Sequence, residues 1–132
     1  MKDLIRLLLP GRPEYLQAIK LAVGSLAGTA NFNMEAIEDI KIAVAEASKN
    51  ISCHGYEGYS RMHEVDCQLE DDRIIFTVKD VSAEHDLVKQ NKCMDCPHEG
   101  DLGLHVMKSL MDEVDISKDD TNCRAIELVK YK

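Results

Sequence analysis

Two side chains that could act together in chemistry, Glu46 and Asn50, lie four residues apart in EDIKIAVAEASKNISCHGY (38–56). On a helix such residues lie above one another on one face, so a carboxylate able to take a proton would sit beside an amide oxygen able to bind a metal ion. At about 100° per residue, this column lies opposite an apolar stripe. The stripe comprises Ile37, Ile40, Val44 and Ile51. These residues alone favour a solvated polar face, and a reactive pair is the alternative.

Two further positions carry residue types that are used to bind phosphate and nucleobases. The glycines of Gly100-Asp-Leu-Gly103 precede an apolar helical pattern. Glycine lets backbone amides approach an anion, and a helix N-terminus favours negative charge. Asp80 ends the apolar run RIIFTVK (73–79). Ordinary turns and strand ends show the same patterns, so neither position identifies a site by itself.

The segment between these two positions contains Cys93-Met-Asp-Cys96-Pro-His98. Two thiolates and an imidazole at this spacing could supply three of four zinc ligands, with His85 or a water as the fourth. A redox-active thiol pair is a second chemical interpretation. Reduced thiols without a metal, in a loop that lacks periodicity, are the favoured interpretation.

The hydrophobic spacing predicts the elements that position these residues. A strand over 4–9, expected at a sheet edge, is ended by Pro10-Gly11, and a helix then runs from Pro13 to Gly28. A second helix, capped by Asn33, is expected to reach about Cys53. Strands follow at 61–69, where Met62, Val65, Cys67 and Leu69 alternate, and at 73–79; a helix near Leu102 precedes strands at 114–117 and 124–131. This order predicts an α+β, two-layer sandwich with helices on one face of a mixed, largely antiparallel sheet.

Composition excludes several classes of function. The chain of 132 residues has 24 acidic and 16 basic residues, a net charge of −8, which argues against binding nucleic acid through its phosphates. No segment approaches the roughly 18 apolar residues of a membrane span. Five cysteines, an odd number, without an export signal indicate free thiols in a reducing compartment. We therefore expect a cytoplasmic single domain, residues 1–132, that binds neither nucleic acid nor membrane.

The order of these motifs resembles the GHKL (Bergerat-fold, histidine-kinase-like) ATPase superfamily, and within it the RsbW-like anti-sigma-factor serine kinases. Residues 37–50 followed by His54-Gly55-Tyr56 resemble the N-box of that family, and 103–114 resemble its second glycine box and the following helix. Residues 9–21 resemble its first strand and helix. A histidine-kinase ATPase domain standing alone is a weaker alternative, because His54-Gly55-Tyr56 favours the serine-kinase branch.

The resemblance implies a site for ATP and Mg²⁺ between helices and sheet, under a lid at about residues 81–99. In this family's pattern Glu46 would activate the attacking hydroxyl, Asn50 would coordinate Mg²⁺, and Asp80 would hydrogen-bond the adenine amino group. The triphosphate would be capped by backbone groups of Gly100, Leu102 and Gly103. The implied activity is sequestration of a sigma factor and phosphorylation of an anti-anti-sigma partner, by a homodimer.

Three positions depart from the family's usual pattern. Ser82 and Asp101 stand where the family usually has glycine, and Asn122-Cys123 stands where it usually has Gly-Thr. All three positions would surround the nucleotide. They support the alternative of a non-catalytic regulatory binding module on the same fold, with a degenerate nucleotide site.

Overall fold

The computed structural model describes residues 3–52, 62–80, 102–118 and 123–132. Eight elements follow in the predicted order: β1 (Asp3–Pro10), α1 (Leu16–Thr29), α2 (Met34–Ser52), β2 (Met62–Leu69), β3 (Arg73–Asp80), α3 (Leu102–Leu110), β4 (Glu113–Lys118) and β5 (Cys123–Tyr131). A short 3₁₀ turn at Pro13–Tyr15 precedes α1. The predicted α+β class is confirmed.

The strands form one five-stranded sheet in the order β1-β2-β3-β5-β4, with β1 at an edge as the sequence predicts. All four pairings between the described strands are antiparallel. The register places Val65 of β2 opposite Val78 of β3, and Phe76 of β3 opposite Leu128 of β5. These side chains are fully buried, so they mark the face of the sheet that packs against the helices.

The ends of the first two helices follow from local sequence. The Oδ1 atom of Asn33 accepts a hydrogen bond from the backbone N–H of Ala36 at 2.8 Å, which confirms the predicted cap of α2. After α1, Asn31 adopts a left-handed φ of 69°. The N–H of Asn31 then bonds the carbonyl of Gly28, and that of Phe32 bonds the carbonyl of Ala27. This is the Schellman arrangement, which satisfies the last carbonyls of the helix.

The helices share a core with one face of the sheet. Its fully buried side chains include Ile19 and Val23 of α1, Ile40, Val44 and Ile51 of α2, Ile74, Phe76 and Val78 of β3, Met107 of α3, and Ile126 and Leu128 of β5. On the opposite face of the sheet, charged side chains pair with one another. Arg6 Nε lies 2.9 Å from Asp66 Oδ1, and Lys79 Nζ lies 3.1 Å from Glu64 Oε2. The two faces of the sheet therefore have different chemistry.

Contacts at its two ends show that α3 runs antiparallel to α2. At the C-terminal end of α3, Lys130 Nζ of β5 donates a hydrogen bond to the carbonyl of Leu110 at 2.6 Å and lies 3.8 Å from Asp39 Oδ2 of α2. At the N-terminal end, Gly103 lies against the C-terminal half of α2. Among the described residues, none of the helices is long and apolar enough to cross a membrane.

Candidate functional site

The first turn of α3 lies directly against Glu46 and Asn50. A Cβ atom built on Gly103 would lie 2.6 Å from Oε1 of Glu46 and 3.2 Å from Nδ2 of Asn50. The two polar side chains are therefore partly covered by α3, and the Glu46 side chain is only 24% exposed. The solvated face that the helical wheel alone favours is not what the structure shows.

The small residues of α2 beside Glu46 and Asn50 explain why α3 can cover these two side chains. Ala43 and Ala47 are fully buried, and they extend the buried arc of α2 from the apolar stripe round toward Glu46. Alanine lets a neighbouring helix approach closely, and Gly103 of α3 has no side chain that would hold the two helices apart. A helical wheel drawn from the large apolar residues of α2 identifies the face that packs against the sheet, but it does not identify the face that packs against α3.

The amide of Asn50 has a fixed orientation. Its Nδ2 atom donates a hydrogen bond to the backbone carbonyl of Glu46 at 2.9 Å. Because this bond uses the nitrogen, Oδ1 is the atom of the amide that can accept another ligand. Amide oxygens are ligands for Mg²⁺ and other hard cations, so this orientation suits a metal ion.

The carboxylate of Glu46 has two different surroundings. Oε1 is the atom nearest to the Cβ position of Gly103, and Oε2 lies 3.6 Å from Nζ of Lys49. The Lys49 side chain is 57% exposed, so this ion pair lies on the solvent side of the site. Ion pairs of this kind are weak, and they leave the carboxylate free to accept a proton from a closer donor.

The N-terminus of α3 adds a third chemical element. The first N–H groups of a helix have no partner within the helix and carry a partial positive charge that favours anions. Leu102 and Gly103 are the first two residues of α3, and the Leu102 side chain is exposed. A carboxylate, an amide side chain and the N-terminus of a helix therefore lie together at one place.

The other predicted site residues are only partly described. Asp80 is the last residue of β3 and pairs in register with His63 of β2, but its side chain lies outside the described part. Gly100 and the cysteine-rich segment with His85, Cys93, Cys96 and His98 also lie outside the described residues. Within the described ranges, no group of three or more His, Cys, Asp or Glu residues could hold a metal ion.

His63 is a buried polar residue that the sequence prediction missed. It is 1% exposed and belongs to the helix-facing set of β2, which runs His63, Val65, Cys67, Leu69. The predicted alternation begins instead with Met62, which is out of phase with the other three residues. Extending the period of two backwards from Val65 would have identified His63 as an inward-facing histidine.

Comparisons with known proteins agree with this geometry. The family model described as the histidine kinase-like ATPase domain matches residues 9–130. The chain is 33% identical to serine-protein kinase RsbW of Bacillus licheniformis, with 89% of this chain and 80% of that protein covered. It is 34% identical to the protein of the same name from Listeria innocua (91% and 83% covered) and 33% identical to that from Staphylococcus epidermidis (98% and 87%). The chain therefore belongs to the histidine kinase-like ATPase domain family, and within it to the relatives of serine-protein kinase RsbW.

Proposed function

We propose that the protein is an ATP-binding serine protein kinase of the anti-sigma-factor type. The observation that carries the proposal is the contact of Gly103 with Glu46 and Asn50, because it places a potential base, a potential metal ligand and a helix N-terminus together. The family membership and the names of the relatives support the same chemistry. Phosphoryl transfer requires positioning and neutralisation of charge more than covalent chemistry, and these three groups supply both.

In this proposal Glu46 is the general base. Its carboxylate would take the proton from the serine hydroxyl of the substrate protein as the hydroxyl oxygen attacks the terminal phosphorus of ATP. The bond from that phosphorus to the bridging oxygen would break, so that ADP leaves and phosphoserine forms. The remaining exposure of the side chain gives that hydroxyl access to the carboxylate. The close backbone of Gly103 restricts the carboxylate on its other side, which fixes where the proton is accepted.

Asn50 is the proposed magnesium ligand. The bond from Nδ2 to the Glu46 carbonyl leaves Oδ1 as the atom that would bind a hard cation. When bound, Mg²⁺ would neutralise charge on the phosphates of ATP. Backbone groups of Gly100, Leu102 and Gly103 would bind the triphosphate at the N-terminus of α3, and Asp80 would accept a hydrogen bond from the adenine amino group.

The partners proposed are a sigma factor, which the protein would sequester, and an anti-anti-sigma protein, which it would phosphorylate on serine. We further propose a homodimer that works in the cytoplasm. The two partners are supported by the similarity to proteins named serine-protein kinase RsbW and by the resemblance of the motifs, and the homodimer by that resemblance alone. The cytoplasmic location is supported by the odd number of cysteines, which indicates free thiols. Partner binding and the oligomeric state can be tested with purified components.

The proposal is tested with Glu46→Gln, which keeps the size of the side chain and removes its basicity. Loss of a general base lowers the rate of phosphoryl transfer about 10²–10⁴-fold, whereas the Kd for Mg-ATP should stay similar. The matched control is Glu38→Gln on the same helix, since Glu38 is exposed and pairs only with Lys41 among the described residues. Transfer is measured with labelled ATP and a candidate anti-anti-sigma protein.

A calorimetric titration with ATP and Mg²⁺ accompanies that assay, on the wild type and on Asn50→Ala. Binding that weakens in Asn50→Ala supports a working nucleotide site at this position. Undiminished transfer by Glu46→Gln would exclude the base role. Failure of the wild type to bind ATP at millimolar concentration would favour the alternative of a non-catalytic binding module.

A further inference from the structure

We propose that Lys49 binds the terminal phosphate of ATP and releases Glu46 when it does so. This inference rests on the proposed function, because it assigns a further residue to the same nucleotide site. The resemblance of the motifs gives roles to Glu46 and Asn50 but none to Lys49. The competing interpretation is an ordinary ion pair on the surface of α2, and the experiment below separates the two.

The first observation is the position of the ammonium group. Lys49 Nζ lies 3.6 Å from Oε2 of Glu46. Oε1, the other oxygen of that carboxylate, is the atom nearest to the Cβ position of Gly103 at the start of α3. A cation and a helix N-terminus, two groups that attract phosphate, therefore lie beside the same carboxylate.

The second observation is that Lys49 is held only weakly. A distance of 3.6 Å is longer than the about 2.7–3.2 Å of an N–H···O hydrogen bond, and the side chain is 57% exposed. Lys41 of the same helix is held more firmly. Its Nζ donates a hydrogen bond to Glu38 Oε2 at 3.1 Å, its side chain is 23% exposed, and its stem lies against Gly24. The ammonium group of Lys49, at the end of a flexible stem, can therefore turn to another anion.

The proposed reaction brings such an anion close. A serine hydroxyl that gives its proton to Glu46 lies about 3 Å from the carboxylate, and at the moment of attack it lies about 3–3.5 Å from the phosphorus. The terminal phosphate would thus lie within about 7 Å of the carboxylate with which Lys49 already pairs. The four-carbon stem of a lysine can span a gap of this size.

The charge around the site favours this contact. The chain carries a net charge of −8, and the carboxylate of Glu46 adds a negative charge next to the proposed phosphate site. Lys49 lies in the last turn of α2, where the unpaired carbonyl groups also repel phosphate. A cation at position 49 offsets both repulsions. Its transfer to the phosphate leaves Oε2 of Glu46 free to accept the proton of the serine hydroxyl.

The test compares ATP with ADP, which lacks the terminal phosphate. We expect Lys49→Met, which keeps most of the apolar stem and removes the charge, to raise the Kd for Mg-ATP about tenfold, with little change for Mg-ADP. The preference for ATP over ADP should fall by the same factor, whereas Lys49→Arg keeps the charge and should retain part of it. The matched control is Lys41→Met, which removes the lysine of the other i,i+3 ion pair on α2 and should leave the preference unchanged. Calorimetric titration gives all four pairs of Kd values, including the wild type.

Three results would overturn the inference. Equal weakening of ATP and ADP binding in Lys49→Met would show a general effect of charge or structure. An unchanged preference for ATP would show that Lys49 does not contact the terminal phosphate, and lower stability beside it would assign Lys49 to the C-terminal turn of α2 alone. An equal loss of preference in Lys41→Met would show that any lysine of α2 has this effect.

Failure of the inference and failure of the proposed function can be told apart. A wild type that does not bind ATP refutes both, and this is visible before any variant is made. A wild type that binds ATP and loses its preference in Lys49→Met, but transfers no phosphate, supports the role of Lys49 and refutes the kinase.

A second measurement uses the wild-type protein and needs no variant. Exposed lysines are acetylated slowly with a reagent in excess, and the extent at each position is followed by peptide mass spectrometry. Saturating Mg-ATP should slow the acetylation of Lys49 more than saturating Mg-ADP does, because the ammonium group is then held by the terminal phosphate. Lys41 should react at the same rate with both nucleotides. Equal rates for Lys49 with ATP and with ADP would also overturn the inference.

Discussion

Substitution of Gly103 by alanine tests the geometry of the site most directly. The new methyl group would lie 2.6 Å from Glu46 Oε1, whereas ordinary contact begins at 3.4 Å. Something must therefore move, and the atom in the way is the far end of a flexible side chain. We expect the Glu46 carboxylate to swing away from α3 and the fold to remain intact.

The size of the effect can be worked from these distances. The carboxylate has to move by about 0.8 Å or more, and misplacement of a reacting group by about 1 Å can lower a rate about 100-fold. Stability should change little, because alanine is favoured over glycine in a helix by about 0.5–1 kcal/mol and offsets the local crowding. We therefore expect about 100-fold slower transfer with a free energy of unfolding within about 1 kcal/mol of the wild-type value.

Gly24→Ala is the matched control. Gly24 also lies within a helix, and its added Cβ would meet the flexible side chain of Lys41, with Cδ at 2.9 Å. Both variants therefore insert one methyl group against a movable side chain, but only Gly103→Ala does so at Glu46. Transfer rates and denaturant unfolding are measured for both variants beside the wild type.

Three results would refute this reasoning. Wild-type transfer by Gly103→Ala would show that the position of the Glu46 carboxylate does not govern the reaction. Equal losses of activity in Gly24→Ala and Gly103→Ala would show that crowding of any helix impairs the protein. A large loss of stability in Gly103→Ala alone would show that the backbone, and not the carboxylate, had to move.

Two other predictions concern the core. Ser48 is fully buried, and its Oγ has no hydrogen-bond partner within the described ranges. Ser48→Ala should therefore raise the free energy of unfolding by about 1 kcal/mol, whereas the reverse change at its buried neighbour, Ala47→Ser, should lower it. If chemical denaturation shows that Ser48→Ala is destabilised, the hydroxyl has a partner. Burial raises the pKa of the Cys67 thiol from its ordinary value of 9.0 to about 12. Between these pH values the unfolded chain releases a proton that the native protein keeps, so stability should fall as pH rises through this range, and more steeply than in Cys67→Val; parallel slopes for the two proteins would contradict the assignment.

Much of the fold could be predicted because its signals are local. The cap at Asn33 fixed the start of α2, since its side chain bonds the N–H of Ala36. The apolar run of 73–79 predicted β3. Each signal spans a few residues, so one sequence is enough to detect it.

The site was harder to predict because it depends on contacts between distant parts of the chain. Glu46 and Gly103 are 57 positions apart, and nothing in the periodicity of α2 shows that a third helix covers the column of Glu46 and Asn50. The motif resemblance implied that both segments bind the same nucleotide, but not that Gly103 directly contacts Glu46 and Asn50. His63 was missed for a different reason: the alternation of β2 was read from the wrong starting residue.

The glycine at 103 also bears on whether the chain is a kinase or only a binding module. Alanine at that position would strengthen α3 and would serve equally well for packing against Ala47 or another small side chain. What alanine would not allow is the close approach of the backbone to Oε1 of Glu46 and the amide of Asn50. A module that only docks on a partner does not need this contact. Phosphoryl transfer benefits from it, because the reaction depends on groups that position the phosphate and stabilise its charge. The local geometry therefore favours the catalytic hypothesis, and transfer assays on Gly103→Ala and Glu46→Gln address the same contact from its two sides.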